Sequence, residues 1–399
     1  MGSRKHRLDR RTFTVAAGAA TLAAGTGVRV AAQGATPVAA PGTVIAEGLW
    51  NPKFLAFADD GTLYVTESGV GGDEPFVFGG PPEATPITAE GTPAAGEPPA
   101  TRGVTGQVSA IAPDGTVTVV ASELASYSIG VGPSGITVQD GMVFFAIGGS
   151  AVLAGIEPLA GENTVNRLDP ATGELTELAE FNTYEVENNP DGTDVNPNLY
   201  GLSSGDTDGR LTVNDAGSNT IFSVDPETGE FTLRGVVPDL NVLTEKLEGG
   251  GHTDDPARQP VPTGGAFNGG GVYHTALLSE AWPEDGPSVL KVDGDGLFAT
   301  FTPVVSGLSM VTDVEFGPDG QLYFCQLFDS LESGAPIGSV HRANTADGTH
   351  EPVAEGLVMP HGIAFDGDGN LYVTTQVLMS APGAPAGQVV RIDGIAVAS

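Results

Sequence analysis

Two short runs carry residue types that could do chemistry by themselves. Gly201–Gly205 reads GLSSG, the spacing of a nucleophile elbow, and Asp366–Asn370 reads DGDGN, the opening of a calcium-binding loop. An elbow needs a strand, a sharp turn and a helix, whereas Ser203 lies between two short alternating runs that predict strands. DGDGN lacks the glutamate that closes an EF-hand loop, and its flanks, GIAF and LYVT, predict a hairpin turn instead. Cys325 is the single cysteine, which excludes an intrachain disulfide and a cysteine-rich metal site. Its setting, QLYFCQ, predicts a buried, inert thiol. The remaining candidates are histidine, tyrosine, lysine and carboxylate side chains, and their grouping depends on the fold.

The fold is written as a repeat. Apolar run, glycine-bearing turn and β-rich run recur as FLAFADDGTLYVTE, GITVQDGMVFFAI, GLSSGDTDGRLTVND, GGAFNGGGVYHTA, DVEFGPDGQLYFCQ and GIAFDGDGNLYVTT. Asp-Gly and Gly-Gly between short alternating runs mark hairpins, because these residues tolerate the positive φ of primed turns. A second hairpin follows most units, as in QVSAIAPDGTVTVVA and NTIFSVDPETGEFTLRG. Four strands per unit and six units predict an all-β, six-bladed β-propeller over residues 43–395.

The last unit has three strands and then the chain runs out. The missing strand should resemble EPVAEGL at 351–357, and TVIAEGL at Thr43–Leu49 matches it. The N-terminal strand 43–49 is therefore expected to complete the last blade and close the ring, which removes a free sheet edge.

The segment 69–106 is rich in Pro, Gly, Ala and Thr and poor in large apolar residues, so it is expected to be a mobile insertion. Residues 241–262 form a second insertion. The N-terminus RKHRLDRRTFTVAAGAATLAAGTG has a basic head, Arg10-Arg11, and a mild apolar stretch. That pattern predicts a twin-arginine-type signal peptide over 1–33, a linker over 34–42, and a periplasmic, cell-wall or extracellular location. With 16 Lys+Arg against 50 Asp+Glu, the formal charge is -34. A field of that sign repels phosphate backbones and anionic lipid, so no nucleic-acid partner and no membrane insertion after signal removal are expected. A monomer is expected.

The most distinctive text is YEVENNPDGTDVNPNLYGL (184–202), then VNDAGSNTIFSVD (213–225) and QPVPTGGAF (259–267). In these stretches the chain resembles the ScyD/ScyE family, exported six-bladed propellers of the TolB-like, NHL-related class. The resemblance spans about 43 to 394. It implies fold and export rather than a substrate, and it brings no catalytic residues with it. The Cys pair common in the first-blade insertion of that family is missing from this chain.

In a propeller the first strand of each blade lines the axial channel. Alignment of the repeats places Lys53, Ser134, Tyr200, Thr263, Thr312 and His361 in one ring at a channel mouth. The ends of the second strands add Glu67, Ile147, Asp215, Ala276, Gln326 and Thr375. Tyr200 and His361 fall in blades three and six, on opposite sides of the axis. Lys53, Tyr200, Thr263, His361, Glu67, Asp215 and Gln326 are the expected binding residues of that mouth. Asn188, Asn189 and Asp191 lie on a loop close by, either bracing it or touching a ligand. Calcium is the ion that a carboxylate-lined channel would take, with Glu67 and Asp215 as its ligands. Two functions remain open on these residues. One is a binding or scaffold module that recognises a small molecule or protein at the mouth. The alternative is a lactonase-like or strictosidine-synthase-like hydrolase or lyase.

Overall fold

The computed structural model describes residues 42–76, 100–243, 258–279, 286–296, 299–308, 310–330 and 333–397. The chain is an all-β, six-bladed propeller. Its innermost strands are Pro52–Phe57, Pro133–Gln139, Leu199–Ser203, Pro262–Phe267, Val311–Phe316 and Ile363–Phe365, and each starts an antiparallel sheet that runs outward. Blade three shows the plan: Leu199–Ser203, Leu211–Asp215, Thr220–Val224 and Phe231–Val236 pair in chain order. The inner strands are buried along their length while the outermost are half exposed. That gradient follows from the twist of radially packed sheets, whose inner strands have neighbours on both faces.

Closure is as expected. Thr43–Leu49 pairs antiparallel with Gly387–Ile392, with Thr43 opposite Arg391 and Leu49 opposite Gly387. The last blade is thus three C-terminal strands plus one N-terminal strand. Leu49, 2% exposed, packs with Leu55, Val65, Tyr372 and Val389 between blades six and one. Asn51 and Ser380 fasten the seam further, the Ser380 amide donating to Asn51 Oδ1 at 2.9 Å.

At the axis the innermost strands approach backbone to backbone. A Cβ on Gly135 would collide with the Leu202 amide, one on Gly201 with Thr263 O, and one on Gly362 with Lys53 O. Only glycine fits at these three positions, which explains why most of the repeats start with it. Side chains then bolt one blade to the next. Thr66 Oγ1 donates to Ser134 O (2.5 Å), Asn214 Nδ2 to Thr263 O (2.5 Å), Thr263 Oγ1 to Val311 O (3.0 Å), Thr312 Oγ1 to His361 O (2.7 Å) and Thr374 Oγ1 to Lys53 O (2.6 Å). Aromatic pairs seal the seams lower down, as with Phe57 edge-on to Tyr372 and Phe365 against Tyr323.

The expected mobile insertion over 69–106 needs correction at both ends. Thr101–Ile111 is a long strand, Glu74–Pro75 pairs with its start, and Arg102 is buried. Arg102 binds Glu74 (2.5 Å) and donates to Glu157 O (2.6 Å). The glycines near the segment, read as signs of mobility, instead permit close packing: Gly72 lies against Gly103. Residues 77–99 of the insertion, the signal 1–33 and the linker up to 41 lie outside the described residues, as do 244–257 of the second insertion.

A chain starting at residue 50 should lose the closing strand, and one starting at residue 42 should not. Removing buried Leu49 alone costs about 2–5 kcal/mol by the usual cavity scale. The first truncation should therefore melt well below the second in a thermal scan; equal melting would refute closure by 43–49.

Candidate functional site

The structure brings together three of the six expected ring residues. Lys53, Tyr200 and His361 converge on the axis, and all three are buried. Tyr200 Oη and His361 Nε2 are 2.6 Å apart, so the two opposite blades meet across the channel. Lys53 Nζ stands 4.3 Å above the centre of the Tyr200 ring, a cation–π distance. Phe54 meets both rings edge-on, 5.7 Å from Tyr200 and 5.0 Å from His361. The expected open mouth is a plug.

Above the plug, Ile129, Leu278, Leu327, Val377 and Leu378 form an apolar collar around a space of about 10 Å³, room for one water. Desolvation in this setting lowers Lys53 to about 7. Burial, then the neighbouring Lys53 charge, holds His361 well below its usual range, so the imidazole is neutral. Burial pushes the Tyr200 phenol up. A neutral imidazole accepting from a protonated phenol fits these directions.

The other ring positions do different work. Thr263 and Thr312 turn into the blade seams as described, and Ser134 is buried with its hydroxyl unpartnered. Glu67 and Asp215 were expected at the mouth or on calcium, and both are corrected to structural clamps. Glu67 accepts from the Trp50 amide (2.5 Å), Gln107 Nε2 (2.9 Å) and Ser109 Oγ (2.5 Å). Asp215 Oδ1 accepts from the amides of Asn198, Gly217 and Ser218. Burial raises Glu67, and raises Asp215 to about 6. Asp215 closes the loop beyond its own strand, where amide groups would otherwise lack acceptors, and Glu67 ties the Trp50 amide to the third strand of its blade through Gln107 and Ser109. Gln326 is buried at the same level of blade five, while its chain neighbour Leu327 lines the collar. Among the described residues no group of three or more His, Cys, Asp or Glu side chains is placed to hold a metal ion.

The loop after the short helix Asn182–Asn188 braces itself. Asn188 Nδ2 donates to Tyr184 O, Asn189 Nδ2 to Thr193 O, and Asp191 accepts from Thr193 and from Asn219 Nδ2 (2.8 Å). Of the two roles set out for these residues, bracing is the one with contacts. Ser203 lies within a strand and Asp366 closes a hairpin by accepting from the amides of Asp368 and Asn370, so neither motif becomes a site.

The channel opens at its other end. Below the plug a cavity of about 470 Å³ is lined by the far halves of the innermost strands. Phe57, Phe267, Phe316 and Phe365 line it, and Asp313, Glu315 and Asp366 contribute carboxyl groups. Asp313 accepts from the Ile363 amide of the next blade (2.9 Å) and from its own neighbour Val314 (2.8 Å). Burial raises Asp313 well above its usual range and raises Glu315 to about 7. Both shifts favour the protonated carboxyl, a kind of perturbation common at functional sites.

Sequence reasoning missed this end, although the repeats carried a signal. The position that packs against the next blade is glycine in blades two, three, four and six, but Phe54 in blade one and Asp313 in blade five. These two exceptions are the plug and the channel acid.

No protein-family model matches the chain, and no curated protein matches its sequence. Solved structures do match in shape. A gluconolactonase from Xanthomonas campestris, XC5397, superposes with a TM-score of 0.50 at 12% identity, over 93% of this chain and 92% of that one. A Bacteroides thetaiotaomicron protein of unknown function gives a TM-score of 0.50 at 12% identity, over 88% and 76%. Virginiamycin B lyase from Staphylococcus aureus gives 0.44 at 12%, over 85% and 94%. At such identity the likeness establishes the propeller architecture alone.

Lys53 makes a stability prediction with a defined sign. Its folded pKa, about 7, lies below the ordinary value of 10.5, so the unfolded chain binds the extra proton between those limits. Native stability should rise with pH there by up to about 1.4 kcal/mol per unit from this residue. Lys53→Met should therefore be more stable than wild type at pH 7 and below, with the gain fading towards pH 10.5. Urea melts at several pH values check this; a constant difference would contradict it.

Proposed function

We propose that this chain is an exported binding module that recognises a small molecule in the open end of its axial channel, below the Phe54–Tyr200–His361 plug. The observation that carries the reading is the cavity of about 470 Å³ with Asp313, Glu315 and Asp366 and four phenylalanines in its wall. A ligand suited to it has an apolar face for the rings and a cationic or hydrogen-bond-donating group for the carboxyls. The overall charge of -34 adds a field that draws cations towards the molecule. This places recognition at the opposite end from the mouth expected from the repeat alignment, because the Tyr200–His361 bond fills that mouth.

A hydrolase or lyase reading has less behind it. Ser203 sits within a strand, Glu67 accepts from the Trp50 amide and the Gln107 and Ser109 side chains, and Asp215 accepts from loop amides. Export rests on the Arg10-Arg11 pattern, and the soluble, extracytoplasmic setting agrees with the acidic surface. Among the described residues no helix is long and apolar enough to cross a membrane.

Benzylammonium, benzyl alcohol and benzoate make a simple probe set for the cavity. Benzylammonium should bind best, with affinity rising between about pH 6 and 8 as Glu315 ionises. Glu315→Gln should flatten that rise and weaken binding roughly tenfold. Equal binding of benzoate in a calorimetric titration would remove the acidic cavity as the recognition site. For export, Arg10→Lys with Arg11→Lys should leave the precursor in the cytoplasm on fractionation, and normal secretion would rule out the twin-arginine route.

A further inference from the structure

The plug contains a group that its structural role does not require. An apolar side chain would fill the position of Lys53 at less cost than an amine. Among the described residues Lys53 Nζ has no carboxylate partner, and its contact is the face of Tyr200. The side chain is 4% exposed, yet it lines the small collar space together with Tyr200 and His361. A buried amine without a counter-ion, beside a phenol bonded to an imidazole, is an arrangement for nucleophilic chemistry rather than for packing.

We propose that Lys53 is a covalent site for small aldehydes or ketones, forming an imine in the collar space, with the Tyr200–His361 pair as its proton relay. The Nζ lone pair attacks the carbonyl carbon and a C–N bond forms. The carbonyl oxygen gains a proton from Tyr200 and the nitrogen loses one, giving a carbinolamine. A second proton transfer to that oxygen lets it depart as water while the C=N bond forms, and the nitrogen's remaining proton returns to the relay. One carbonyl compound and one amine give one imine and one water, with no oxidant or reductant. Tyr200 stays protonated because burial pushes its phenol up, and neutral His361 can take its proton and return it. The lowered Lys53 pKa leaves about half of the amine neutral at pH 7, against roughly one part in a thousand or less for an ordinary lysine.

The size of the space sets the substrate class. Room for one water above the plug restricts the site to the smallest carbonyl compounds. A longer chain must displace Leu378, whose side chain lies where a Cβ on Gly130 would fall. Lys53 faces the collar while Asp313 and Glu315 face the opposite cavity, so this site is separate from the one proposed for recognition.

The full-length chain has four lysines, at 5, 53, 246 and 291, which makes the test clean. The intact protein is treated with acetaldehyde and cyanoborohydride at pH 7, and peptide masses locate the reduced adduct with time. Lys53 should label at least tenfold faster than Lys291, with a rate midpoint near pH 7, and Tyr200→Phe should slow it about tenfold. Tyr200→Phe folds are checked by circular dichroism, and His361→Gln supplies a second relay variant with the same expected slowing. Labelling of Lys53 no faster than Lys291 overturns the site, and unchanged rates in both relay variants overturn the relay.

Discussion

Everything in this molecule depends on how close six strands can come to one axis. At Gly135, Gly201 and Gly362 the backbone of one blade rests on that of the next, with no space for a Cβ. That approach lets Thr66, Asn214, Thr312 and Thr374 reach carbonyl oxygens of the following blade. Each such bond contributes about 1 kcal/mol net; their larger effect is to fix the rotation of each blade about the axis. With the rotations fixed, residues far apart in sequence acquire definite positions. Tyr200 and His361, 161 residues apart, come within hydrogen-bond distance for this reason.

The architecture was legible because a propeller repeats its instructions. The hairpin turns, the blade count and the closing strand Thr43–Leu49 could all be read by comparing the chain with itself. The convergence of Lys53, Tyr200 and His361 followed from the same alignment. What the alignment could not supply was rotamer and depth. Thr263 and Thr312 share a repeat position with Tyr200, yet their short side chains find a carbonyl in the seam before they reach the axis. Glu67 and Asp215 look like channel acids in sequence; in three dimensions the Trp50 amide with Gln107 and Ser109 claims the one, and loop amides claim the other. The long strand Thr101–Ile111 was hidden by composition, since its first half pairs through Gly103 and Gly106 and a single buried arginine. Glu315 was overlooked for another reason: its charge pattern resembles an exposed strand end, and only the ring geometry turns it towards the channel.

Two residues break the glycine rule at one level of the ring, with opposite effects. Phe54 is large and meets Tyr200 and His361 to fill the channel. Asp313, at the same repeat position in blade five, spends its oxygens on the Ile363 and Val314 amides and leaves the cavity below open. A buried carboxyl bonded to two amides resists removal, because its loss would orphan both donors. Asp313 therefore both tethers blade five to blade six and gives the cavity its acid, so cavity and ring closure share a residue.

The same economy explains why Lys53 has kept its carbonyl where it is. Its backbone oxygen accepts from Thr374 across the closing seam, and Gly362 packs directly against it. The backbone at 53 is thus fixed by closure whatever side chain is present. Desolvating an amine there, with the depression to about 7, works against stability at neutral pH. A ring held by strand pairing, threonine bolts and apolar seams can carry that cost without opening. Stability that the side chain does not supply is what leaves position 53 free for an amine, and the tightest point of the fold is also the place where a reactive group is best held still.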